Sequence, residues 1–101
     1  MGEIIASRNV NAVHPDGRVA PLSIQLGTAR YDAGMSAWAC PCRIVGFDGD
    51  RVRRMFGVDS LQAVVIATDM LRRLLSAAAV EHGWTFTWDT TPDLGLTDVL
   101  W

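Results

Sequence analysis

Cys40-Pro41-Cys42 is the stretch of this chain whose residue types and spacing most invite chemistry. A thiolate is both a nucleophile and a soft metal ligand, so the pair could open a zinc site, act as a redox couple or attack a substrate. Each use needs partners. A structural zinc takes about four ligands, and beyond the two cysteines the chain offers only His14 and His82 as histidines. His14 falls in a turn and His82 at a helix end, so nothing in the sequence brings them together. A disulfide is disfavoured as well: residues two apart in a strand have Cα atoms about 6.6 Å apart with side chains roughly parallel, whereas bridged Cβ atoms need about 3.8 Å. The plainer reading follows from strand geometry. Trp38, Cys40, Cys42 and Ile44 share one face of an extended segment, and free cysteine packs as a small hydrophobe. The expectation is a buried core face with no metal and no cofactor. Pro41 removes one ladder donor, which predicts an edge or bulged strand.

His14 beside Asp16 resembles an acid–base pair, but no nucleophile lies near it in sequence. The turn chemistry of Pro15-Asp16-Gly17 accounts for these residues fully. There is no phosphate loop, dinucleotide fingerprint, HExxH or GxSxG pattern. GFDGD is too short for a calcium loop.

The nine basic residues are all arginine and all precede residue 74. Arg43, Arg51, Arg53 and Arg54 fall on two predicted strands, and Arg72 and Arg73 on a helix. Arg51 and Arg53 share a face opposite Val52, Phe56 and Val58, which predicts that they are exposed. Such a set is either a surface for an acidic partner or a solvated face that deters edge pairing. The candidate partner surface comprises Arg51, Arg53, Ile66, Arg72 and Arg73. Aromatic residues do not interleave with these arginines, and the net charge is −2, so nucleic acid is not an expected partner.

The elements that must position these groups are legible in outline. Residues 3–13 read as a first strand, 14–18 as a turn, and 19–26 as a second strand with Leu22, Ile24 and Leu26 on one side. Residues 27–36 read as a mobile loop, 37–47 as the third strand, and 51–58 as the fourth after an Asp48-Gly49 reversal. Asp59 is a natural N-cap, with Gln62 placed to close a capping box, and Gly83 suits a left-handed C-cap. The helix between them, Ser60 to His82, carries Val64, Ala67, Leu71, Leu74, Leu75 and Ala78 on one stripe. Gln62, Asp69, Arg73 and Ser76 lie opposite. Ile66 and Val80 fall on this polar side, covered either by the C-terminal segment or by a dimer contact. WTFTWD alternates as a short fifth strand or arm, and residues 90–101 read as a docked tail.

Composition bounds the rest. The length of 101 residues fits one domain, 1–101, with no break, repeat or low-complexity tract. The N-terminus has no basic leader and long apolar run, and residues 61–80 carry Asp69, Arg72 and Arg73 within their apolar stretch. A soluble cytoplasmic protein without a membrane contact is expected.

Two stretches carry a family resemblance. WACPCRIVGF fits W-x-C-P-(aromatic)-x-I-x-G through Trp38, Cys40, Pro41, Ile44 and Gly46, with Cys42 in the aromatic place. FGVDSLQA fits (Y/F)-G-x-D-(S/A)-x-Q-A through Phe56, Gly57, Asp59, Ser60, Gln62 and Ala63. The chain thereby resembles a family of small, uncharacterised bacterial proteins classed as a domain of unknown function. The resemblance implies a bacterial origin and no known activity. The expected fold is α+β: an antiparallel sheet of four or five strands, a meander of two hairpins, packed on one long helix. The expected role is a non-catalytic protein-binding or accessory module, with an immunity-type inhibitor among the options, as a monomer or weak homodimer. The alternative is a small-molecule- or metal-dependent enzyme using Cys40 and Cys42 with His14 or His82.

Overall fold

A computed structural model describes residues 1–87 of the chain. The expected strand end at Trp88 and the docked tail lie outside the described residues. The elements are β1 (Ile4–Val13), β2 (Val19–Gly27), β3 (Arg30–Asp32), β4 (Ala37–Val45), β5 (Arg53–Gly57), α1 (Ser60–His82) and β6 (Thr85–Thr87). All strand pairs are antiparallel. The sheet runs β5-β4-β2-β1-β6, with β3 continuing past the end of β2 along the same edge of β4. The α+β architecture is as expected, with six strands rather than four or five. β1, β2, β4 and β5 follow one another as a meander, and α1 carries the chain from β5 across one face of the sheet to β6 at the far edge.

The helix is set by its ends. The Asp59 carboxylate accepts from the Gln62 amide at 2.7 Å, and the Gln62 side-chain oxygen accepts from the Val58 amide at 2.7 Å. The capping box is thus reciprocal, but it closes one residue before the cap. Gly83, at φ 69, ends the helix in the left-handed region. Ala63, Ala67, Leu71, Leu75 and Ala78 are buried against Val10, Ala12, Leu22, Ile24, Cys40, Cys42, Ile44 and Phe86, while Val64 and Leu74 pack at the margin. Burying one leucine of this kind contributes about 1.5–3 kcal/mol. Of the two apolar residues on the polar side, Val80 is 85% exposed and Ile66 only half-buried.

Several expectations change. The segment read as a mobile loop contains β3, whose Arg30, Tyr31 and Asp32 pair with Ala39, Trp38 and Ala37. β4 is an interior strand, because Cys42 pairs with Leu26 on one edge and Arg53 on the other. Pro41 is tolerated there because it falls in the gap between the β2 and β3 ladders. It packs against Gly27, where an added Cβ would lie 2.6 Å from the proline ring. The reversal after β4 is a short turn over Asp48–Asp50 with all three residues left-handed, at φ 57, 64 and 57. Aspartate tolerates that region better than most residues, and here each side chain is also engaged. Asp50 accepts from the Gly46 amide at 2.6 Å, and Asp48 pairs with Arg53 at 2.7 Å.

Candidate functional site

The cysteines were the first candidates, and strand alternation settles their place. Both side chains point under α1 and are fully buried as free thiols. Cys40 donates a weak hydrogen bond to the Gly27 carbonyl at 3.5 Å, beside a proline that has no N–H to offer it. Burial pushes the Cys40 thiol up and the Cys42 thiol up to about 11, the latter also through its neighbour Cys40 and against a smaller opposing pull from Arg53. A thiol so raised is protonated at neutral pH, which removes the reactive form. Among the described residues no group of three or more His, Cys, Asp or Glu side chains is placed to hold a metal.

The histidines do converge, although no local signal in the sequence predicts it. Trp84 stands between them: His14 meets its ring edge-on at 4.9 Å and His82 lies tilted against it at 5.0 Å. Phe47 and Phe86 close the cluster at 5.5 and 6.2 Å. The cysteines are far from this point. Cys42 is level with Leu26 and so with Ala6, eight positions along β1 from His14, about 26 Å at the rise of an extended strand. A shared Cys–His site is therefore not assembled. Nor is the His14–Asp16 pair, because Asp16 accepts from the Arg18 amide at 2.9 Å and from its guanidinium at 2.6 Å. The backbone hydrogen bond is the main cause that holds the Asp16 carboxyl below its ordinary value.

The candidate partner surface divides between two places. Arg51 is exposed after the Asp48–Asp50 turn. Arg53, expected in solvent, has only 23% of its side chain exposed, because its register opposite Cys42 aims it to the helix side, where Asp48 meets it. Ile66, Arg72 and Arg73 lie on α1, and both arginines pair with Asp69 at 2.7 Å. Those hydrogen bonds, that of Arg72 foremost, hold the Asp69 carboxyl low.

The less expected surface is the face of the sheet turned away from α1. No described element covers it. Ser7, Gln25 and Arg43 stand in one row across three strands, and Arg43 donates to the Gln25 side-chain oxygen at 2.7 Å. Asn9 and Asn11 continue the polar surface along β1, with Ile5 52% exposed beside them. Toward β5, Arg54 lies over the Phe56 ring at 5.4 Å and crosses β4 to reach Asp32 at 2.7 Å. An aromatic does accompany an arginine here, two residues away on the same strand face. Arg30 joins this face from β3, a strand hidden among turn-forming residues in the sequence; β-register with Ala39 is the signal that finds it.

No helix of the described residues is long and apolar enough to cross a membrane. No curated protein and no solved structure shows significant similarity to the chain. A family model does match residues 6–98, nearly the whole length, and the chain belongs to that family, described as Domain of unknown function (DUF6968).

Proposed function

We propose that this domain is a non-catalytic binding module that presents the open face of its sheet to an acidic protein surface. One observation carries the reading: the sheet is covered on one face by α1, and on the other it holds Arg30, Arg43 and Arg54 among amide and hydroxyl side chains with no described element over them. An antiparallel sheet is commonly wet on one side without functional meaning. Here, however, the exposed side concentrates arginine, the residue best suited to bidentate contacts with carboxylates. The reactive groups of the chain support the same reading by their placement, since both thiols are enclosed and protonated. Reduced, buried cysteines also fit a cytoplasmic location in a bacterial cell. An accessory or immunity-type role, in which a monomer or weak homodimer occludes a partner's surface, uses the same face.

The test is capture by the immobilised protein from bacterial lysate, run in parallel with Arg43→Glu/Arg54→Glu and with Arg73→Glu. The expected result is a stoichiometric acidic partner that the open-face variant loses and the helix variant keeps. Retention by the open-face variant, or loss only on the helix, contradicts the proposal.

A further inference from the structure

The open face is not flat. Near the start of β1 it dips into a concavity of about 310 Å³, lined by Glu3, Thr28, Arg30, Ala39, Pro41, Val52 and Arg54 among others. That volume is at the lower end of pockets that hold small ligands. Its floor is formed by the residues of β4 that alternate with the buried cysteines. Ala39 is only 3% exposed although it lies outside the core cluster. Two of the pocket's walls are arginines on opposite sides of β4. Arg30 is opposite Ala39 on β3, and Arg54 is opposite Pro41 on β5. The flanking strands are about 10 Å apart, close enough for both side chains to reach over the small residues between them.

The two arginines are prepared differently. Arg54 is fixed by its bond to Asp32 and by the Phe56 ring beneath it, and a guanidinium with five donors keeps others free after one such contact. Arg30 is held in the sheet by its backbone pairing with Ala39, while its guanidinium makes no ion pair or hydrogen bond among the described residues. Pro41 and Val52 give an apolar bed beside these two charges. Glu3 is the opposing charge on the rim, and its backbone carbonyl is already taken by the Thr28 amide at 2.9 Å.

We infer that this concavity binds a small organic anion, whose carboxylate or phosphate lies between Arg30 and the free edge of Arg54 while an apolar body rests on Pro41 and Val52. The inference stands whether or not the sheet face also meets a protein, and its test needs no partner. Amide and arginine Nε–H signals are followed in the full chain during titration with benzoate, phenyl phosphate and, as the uncharged control, benzamide. Saturable shifts centred on Arg30, Ala39 and Arg54 with benzoate or phenyl phosphate are expected, and the tighter of the two identifies the oxyanion. Benzamide should give none. Arg30→Ala, at an exposed position that leaves the fold intact, should weaken binding by about tenfold. Glu3→Gln should strengthen it, because it removes a like charge from the rim. Absence of saturation up to about 20 mM, which is weaker than any useful charge-assisted contact, overturns the inference. So does an equal response to benzamide, or an affinity unchanged in Arg30→Ala.

Discussion

The two faces of the sheet are made by the same strands, one residue out of step, and they have opposite chemistry. On β4, Cys40, Cys42 and Ile44 go under the helix and are at most 3% exposed. Their neighbours Pro41 and Arg43 go to the open side, where Arg43 is held in a polar row with Gln25. On β2, Leu22 and Ile24 alternate in the same way with Ser23 and Gln25. The comparison teaches that groups with intrinsic reactivity are not automatically groups in use. The thiols are on the side that carries stability, and ordinary arginines and amides are on the side open to ligands.

The largest expected contrast tests that division directly. Leu71, 2% exposed at the centre of the helix stripe, should cost about 2–5 kcal/mol when changed to alanine, through lost burial and the cavity left behind. Gln25→Ala on the open face should stay within about 0.5 kcal/mol. Denaturant unfolding of both variants checks this, and a comparable cost at the two sites would break the comparison. A smaller effect is expected at the helix start. Asp59→Ala removes the acceptor of the Gln62 amide and should cost about 0.5–2 kcal/mol, read in the same way.

The smallest effect is electrostatic and depends on pH. The folded-state pKa of Asp69 lies below its ordinary value of 3.8, chiefly through the hydrogen bond from Arg72. A carboxylate with a depressed pKa stabilises the fold above its unfolded value, and that stability is lost as pH falls through the folded value. Asp69→Asn should therefore melt below the unmodified protein at neutral pH, with the gap closing in acid. A gap that persists at about pH 2 would show that the carboxylate charge is not its source. Because these are surface pairs, added salt should shrink the gap at neutral pH.

How far the sequence reveals this molecule depends on the range of the contacts. Alternation along residues 38–44 and 22–26 places the core face, and Asp59, Gln62 and Gly83 place the helix, because these are local signals. β3 escapes detection: GTARYDAG is full of turn-forming residues, and the strand exists only because β4 offers an edge beyond Gly27. Arg30 escapes with it, and so does half of the anion concavity. Arg53 shows the limit of alternation itself. Alternation with Arg51 suggests a solvent face, but bulky apolar neighbours at Val52 and Phe56 do not decide which face turns inward. Register with Cys42 does, and it leaves the arginine stem against the sheet with its charged end on Asp48. The meeting of His14 and His82 on Trp84 is likewise tertiary, made by a turn packing on a helix end.

The most direct measurement is the reactivity of the two thiols toward a disulfide reagent at mildly alkaline pH, before and after unfolding. If the face under α1 is core alone, the native protein reacts no faster than it opens, and both cysteines react at once when denaturant is added. Rapid stoichiometric labelling of Cys40 or Cys42 in the native state would contradict the account, because it would place an available nucleophile where only packing has been assigned.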